Sequence, residues 1–170
     1  GPTSYGDSPY QSFSTFAGNP YFISLEDLIQ EGVLTEEECS RADFGSRPDF
    51  VDYAKVYEER YPLLRKAYER SSISLDPEFR KFRDENRWWL QDYALFMAVK
   101  ARFKGTAWTR WAQDIRLRWQ NALDYYRREL YYDIEFHQYL QFKFSQQWKK
   151  LKSYANANGI RIIGDIPIYV

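Results

Sequence analysis

The chain of 170 residues has 24 lysines and arginines and 24 aspartates and glutamates, so its formal net charge at pH 7 is zero. This balance, with no polybasic run, argues against nucleic acids and anionic membranes as partners. The single cysteine, Cys39, excludes an internal disulfide framework, and no apolar run reaches the roughly 18 residues that a membrane span needs. We expect a cytoplasmic protein, or a plastid protein if the source is a plant or alga.

Aromatic residues are in excess: 15 Tyr, 12 Phe and 6 Trp make up 19% of the chain. Rings in such numbers are typical of proteins that pack helices with aromatic side chains, and also of proteins that stack sugars on tyrosine and tryptophan faces. The composition alone leaves both interpretations open.

Residues 1–22 have the pattern of a long loop, because Gly, Pro, Ser and Asn recur every few residues. A flexible linker of this kind would contain few aromatic residues. This loop instead carries rings along its whole length, among them Tyr5, Tyr10, Phe13, Phe16 and Tyr21. We therefore expect it to be ordered and functional.

The middle of the chain, residues 23–157, has the patterns of a helical region. Ser24–Asp27 and Thr35–Glu38 are capping-box starts for two short helices. Residues 49–70 continue helically, and Asp76–Glu78 is a further start signal with a cap, a proline and an acid in their preferred order.

A helix over residues 88–103 is apolar nearly all the way round, which predicts that it is buried. Asp92 is the exception, and we expect it to have a structural partner, an arginine or a ring N–H, rather than a substrate contact. Trp108 and Trp111 follow three residues apart. Core packing is the favoured interpretation of this pair, and a sugar platform is the alternative.

The last helix, predicted over residues 132–156, carries an aromatic and aliphatic stripe that indicates a core face. Its members are Phe136, Leu140, Phe144, Trp148, Leu151 and Ala155. The only histidine, His137, has no serine or cysteine placed beside it by a motif, so we interpret it as structural. Without clustered ligands or a phosphate loop, we expect no metal and no cofactor.

The chain closes on a β-branched run, residues 160–170, that does not alternate with polar residues. Such a run predicts a parallel strand buried on both faces, and a parallel strand implies an α/β fold. Gly159, just before the run, is placed to cap the preceding helix. Asp165 interrupts the run. It is either an active-site acid at a strand end or the cap of the next turn, and the residue alone does not decide between them.

Four segments together resemble one known family. They are GPTSYGDSPYQSFSTFAGNPYFI, WLQDYALFMAVK, FHQYLQFKFSQQW and the closing GIRIIGDIPIYV. With these motifs, essentially the whole chain resembles the 4-α-glucanotransferases called amylomaltases or disproportionating enzymes.

The resemblance implies part of a (β/α)8 TIM barrel with a large, mostly helical insertion. It divides the chain into an active-site loop (1–22), a helical insertion and barrel helix (23–157) and a buried barrel strand (158–170). The chain itself would be predominantly α-helical with one buried C-terminal strand. The implied partners are α-1,4-glucans and malto-oligosaccharides such as those of starch and glycogen.

The resemblance also implies a retaining double displacement, in which a sugar 4-hydroxyl replaces water as the acceptor. The family's catalytic carboxylates lie on later strands, so no catalytic residue is expected in this chain. Tyr10 matches the family's active-site tyrosine, which packs against the sugar near the scissile bond. Ser8, Asp7 and Gln11 line the same loop within reach of sugar hydroxyls, with Ser8 the better match, and Asp165 corresponds to an acid that shapes the site without being the nucleophile. Tyr5 and Tyr53 match tyrosines that some members use in a second glucan site away from the cleavage point.

Two other functions fit the residues without the resemblance. A non-catalytic, helical module that binds malto-oligosaccharides would explain the aromatic excess. A helical scaffold with no sugar role would explain the stripes alone.

Overall fold

A computed structural model describes residues 1–3 and 5–165, which are built from α-helices, short 3-10 turns and loops. Helices give the chain its framework. They are α1 (Leu25–Gln30), α2 (Glu36–Ser40), α3 (Tyr53–Arg70), α4 (Pro77–Glu85), α5 (Arg87–Arg102), α6 (Gln113–Arg116), α7 (Gln120–Glu129) and α8 (Tyr131–Ala157). The 3-10 turns are Tyr5–Asp7, Pro20–Phe22, Ile73–Leu75 and Trp108–Arg110.

The predicted helix starts are confirmed by their caps. The Ser24 hydroxyl accepts the Asp27 N–H at 3.0 Å, and Thr35 and Glu38 form a complete capping box at the start of α2. The Asp76 carboxylate accepts the Glu78 N–H at 2.8 Å. Each cap satisfies backbone donors that the first helical turn leaves without partners.

Helix α8 lies at the centre of the packing. Every side chain from 135 to 143 is buried, so neighbouring elements surround this stretch on all faces. One core cluster joins α8 to α1, α3 and α4, and a second joins α5 to α6 and α7. The predicted core stripe of α8 is wrong at Trp148 and Leu151, which are 39% and 55% exposed, whereas Ala155 at its end is buried as expected.

Helix α5 is also less enclosed than its composition predicted, because Trp88 at its start is 68% exposed. The prediction for Asp92 is confirmed: the Arg118 guanidinium donates to both of its carboxylate oxygens, at 2.9 and 3.0 Å. Trp111 is buried against Phe96 and Phe103, as expected for core packing. Trp108, in contrast, is 53% exposed.

The predicted buried C-terminal strand is wrong. Residues 160–165 form no strand, and Ile163 is 94% exposed. The described residues contain one isolated bridge, between Thr3 and Ser12, and no sheet. The α/β fold class is therefore incorrect, whereas the predominantly helical character is as expected. A strand needs a neighbour for its backbone hydrogen bonds, and the described residues offer none. Residues 166–170 of the predicted strand lie outside the described ranges.

Candidate functional site

A cleft of about 830 Å³ opens between the loop 1–22 and helices α3, α5 and α8. Four tyrosines line one side, and we call it the tyrosine cleft after Tyr21, Tyr53, Tyr57 and Tyr61. Pro2, Thr3 and Asp7 of the loop and Met97, Lys100 and Ala101 of α5 also line it.

The tyrosines of α3 share one helix face because they are spaced by four residues. Tyr57 and Tyr61 have ring centroids 4.9 Å apart, and Tyr21 approaches Tyr53 and Tyr61 at 6.4 and 6.3 Å. Tyr53 is 41% and Tyr57 57% exposed, so aromatic faces remain open to a ligand. The result is a wall of rings rather than a closed core.

The hydroxyl groups of Tyr21 and Tyr61 stay protonated. Burial, assisted by the nearby Asp7, raises the pKa of Tyr21 to about 12. Burial also raises the pKa of Tyr61. A protonated phenol both donates and accepts hydrogen bonds, which suits neutral, hydroxyl-bearing ligands.

The floor of the cleft is formed by Arg65, Phe136 and His137. The Arg65 guanidinium donates to Asp133 at 2.7 Å and lies 3.8 Å from the centre of the Phe136 ring. These two contacts fix its position. Burial, with a smaller contribution from Arg65, lowers the pKa of His137 to about 3, so its imidazole is neutral at physiological pH.

Two glutamines of α8 hold the end of the loop against the helices. Gln141 accepts the Gly18 N–H at 2.7 Å and donates to the Gly18 carbonyl at 3.0 Å. Gln147 makes the same pair of bonds with Ser24, at 2.7 and 3.3 Å. Each glutamine amide thus bonds both the N–H and the carbonyl of one residue, which fixes the position of the loop along α8.

The loop backbone can lie this close to α8 at Gly18 because glycine has no side chain. A Cβ placed there would lie 2.0 Å from Cδ1 of Phe144, well inside van der Waals contact. Within the loop, Thr3 donates to Asp7 at 3.2 Å, and the Ser8 hydroxyl accepts the Tyr10 N–H at 3.3 Å. The expectation of an ordered loop agrees with these bonds.

The structure brings only some of the predicted site residues together. Asp7 and Tyr53 both line the tyrosine cleft, whereas Ser8, Tyr10 and Gln11 belong to the same loop but not to the cleft lining. Tyr10 is 46% exposed. Tyr5 lies in the first 3-10 turn, and Asp165 lies at the end of the described residues, outside the cleft lining.

Sequence reasoning missed most of the cleft. Tyr21, Tyr57, Tyr61, Arg65 and His137 all line it. The signal on α3 was present in the sequence, since four positions from Tyr53 to Arg65 recur at intervals of four. His137 gave no such signal, because only the packing of α8 against α3 brings it to the cleft.

The described ranges contain no cluster of three or more His, Cys, Asp or Glu side chains that could hold a metal ion. Among the helices described, none is long and apolar enough to cross a membrane.

A concave cleft lined by tyrosine faces, a neutral imidazole and a polar loop is the kind of site in which proteins bind small ligands. The family model described as 4-alpha-glucanotransferase matches residues 1–170, so the chain belongs to this family. The resemblance seen in the sequence is thereby confirmed.

Relatives and a solved structure agree. The chain is 45% identical over 170 residues to the 4-alpha-glucanotransferase of Clostridium butyricum, covering 100% of this chain and 35% of the relative. It is 49% identical over 172 residues to that of Streptococcus pneumoniae, covering 100% and 34%.

One similar solved structure is that of the amylomaltase from Streptococcus agalactiae in complex with acarbose. It superposes with a TM-score of 0.91 at 41% identity, over 99% of this chain and 34% of the neighbour. The chain thus spans about a third of the length of the curated relatives it matches.

Proposed function

We propose that the protein to which this chain belongs is a 4-α-glucanotransferase that moves segments of α-1,4-glucan onto the 4-hydroxyl of another glucan. The observation that carries the proposal is the match of the 4-alpha-glucanotransferase family over all 170 residues. The tyrosine cleft supports it physically, since aromatic faces and uncharged hydroxyl partners suit a neutral sugar chain.

The proposed chemistry is a retaining double displacement. A carboxylate attacks the anomeric carbon while an acid protonates the departing 4-oxygen, which leaves a covalent glycosyl intermediate. The 4-hydroxyl of an acceptor glucan then attacks that carbon and gives its proton to the same acid, which has become a base. Residues 1–170 supply glucan contacts, and we assign the catalytic carboxylates to other parts of the protein.

Within this proposal the loop contacts sugar near the scissile bond through Tyr10, with Ser8, Gln11 and Asp7 as partners for sugar hydroxyls. Asp165 shapes the same region without acting as the nucleophile. Tyr5 and Tyr53 belong to a second glucan site away from the cleavage point, and the open face of Tyr53 suits that role.

The test is product analysis with maltotriose. Full-length protein incubated with maltotriose alone should release glucose and build maltopentaose and longer glucans. A protein that only hydrolyses maltotriose to shorter sugars contradicts glucan transfer. A protein that binds maltotriose without changing it favours a malto-oligosaccharide-binding module instead.

A cytoplasmic location, or a plastid one in a plant or alga, forms part of the proposal. The single cysteine suits a reducing compartment. The potato relative is named as the chloroplastic/amyloplastic enzyme.

A further inference from the structure

His137 is a buried polar residue that has no hydrogen-bond or ion-pair partner among the described residues. Only 7% of its surface is exposed. Its ring packs on Phe136, with centroids 5.4 Å apart, but no hydrogen bond joins the ring to any group in the described ranges. Buried polar side chains nearly always find a hydrogen-bond partner, so this one needs an explanation.

The ring nitrogens of His137 are not fully sealed from solvent. Among the described residues, the side-chain polar atoms sealed from solvent without a partner are Arg60 Nε and Tyr139 OH, and the His137 nitrogens are not among them. His137 also lines the cleft. Its small exposed fraction is therefore the part that a ligand in the cleft would meet.

The surroundings define the chemistry of that ligand. The neutral imidazole offers one N–H donor and one acceptor nitrogen. Tyr57 and Tyr61 line the same cleft with aromatic faces, and Arg65 has donors beyond the one given to Asp133. A ring that carries one donor and one acceptor, in a cleft lined with aromatic side chains, suits the hydroxyls of a pyranose.

We propose that His137 hydrogen-bonds a glucose unit of an α-1,4-glucan at the floor of the tyrosine cleft, where Tyr57 and Tyr61 pack on the sugar. The inference rests on the proposed function for its choice of ligand. It extends the glucan path from Tyr53 along α3 to Arg65, a span of about 18 Å at about 1.5 Å per residue.

The proline inside α3 adds a further acceptor to this path. Pro62 has no amide hydrogen, so the carbonyl of Glu58 lacks its usual donor four residues on. Glu58 and Pro62 both line the cleft. A sugar hydroxyl in the cleft is a suitable replacement donor.

The test compares His137→Phe with His137→Gln in the full-length protein, by retardation in native gels that contain soluble starch. Phe keeps the bulk but loses both hydrogen-bonding atoms, and we expect the apparent Kd for starch to rise about three- to tenfold. Gln keeps a donor and an acceptor and should restore most of the affinity. Equal retardation of the wild type and His137→Phe would overturn the proposal.

Gln138→Leu is the matched control. Gln138 is the next residue on α8 and is equally buried at 5%, but it lines a separate small cavity beside Glu135 rather than the cleft. Its loss should leave starch affinity and transfer from maltotriose unchanged. If Gln138→Leu weakens starch binding as much as His137→Phe, the effect is structural and the proposal fails.

A second measurement remains decisive if His137→Phe does not fold. A crystal of the wild-type full-length protein soaked in maltotriose should show a sugar oxygen within hydrogen-bond distance of a His137 ring nitrogen. A cleft left empty, or filled without that contact, overturns the inference. Failure of the proposed function is separate, because it would show as absence of transfer products from maltotriose.

Discussion

For the proposed glucanotransferase, replacement of Gly18 by alanine should reduce transfer between glucans by about thirtyfold in kcat/KM. The added methyl would lie 2.0 Å from the Phe144 ring, so either the ring or the loop must move. Overpacking of this kind costs about 2 kcal/mol, and about 1.4 kcal/mol corresponds to a tenfold change in rate. We expect the loop to move rather than the ring, and a displaced loop would lose both hydrogen bonds between Gly18 and Gln141.

A double-mutant cycle separates this effect from a general loss of stability. In a Phe144→Ala background the alanine at position 18 has room, so Gly18→Ala should then cost much less activity than it does in the wild type. Initial rates with maltotriose, measured for all four proteins, give the coupling. Purely additive effects would show that the clash with Phe144 does not determine the position of the loop.

Removal of the buried carboxylate of Glu135 should lower the free energy of unfolding by about 3 kcal/mol. This carboxylate accepts the hydroxyls of Tyr68, Ser74 and Tyr131 at 3.0, 2.9 and 3.3 Å. Its charge also faces the Arg83 guanidinium at 3.8 Å. Glu135→Leu leaves these donors without their acceptor, and the Tyr68 hydroxyl is the most enclosed of them.

Glu135→Gln is the conservative comparison, because an amide oxygen of the same shape can still accept one or two of these bonds. Urea titrations of full-length protein should rank the wild type above Glu135→Gln, and Glu135→Gln above Glu135→Leu. An unchanged midpoint for Glu135→Leu would mean that the network contributes nothing to stability.

Local signals in the sequence were the most reliable guide to this fold. The caps at Ser24, Thr35 and Asp76 depend on contacts within four residues, so the sequence shows them directly. The left-handed backbone at Gly159 after α8 was predicted for the same reason. The family resemblance rests on long motifs and needs no folding argument.

Features that depend on distant packing could not be predicted in this way. A β-branched run predicts a strand only if a partner strand pairs with it, and the described residues supply none. The continuous burial of α8 ends at Lys143, which no periodicity in α8 reveals, because burial depends on the elements packed around the helix. His137 was interpreted as structural because no motif places a serine or cysteine beside it. Its place in the cleft lining depends on the packing of α3 against α8.

Part of the candidate site could be predicted from the sequence. Tyr53 and Asp7 were singled out from the resemblance and do line one cleft. The remaining wall, Tyr57 and Tyr61, follows from Tyr53 by helical spacing once α3 is known to begin there. Tyr21 joins them only through the fold of the loop.

The most direct test of the account is the starch affinity of full-length Tyr53→Ala beside Tyr125→Ala. Tyr125 lies on α7 outside the cleft and is 48% exposed, close to the 41% of Tyr53, so the two changes remove similar surface rings. If the tyrosine cleft binds glucan, Tyr53→Ala should migrate faster than the wild type in starch gels, and Tyr125→Ala should be retarded normally. Normal retardation of Tyr53→Ala would contradict a glucan site in this cleft.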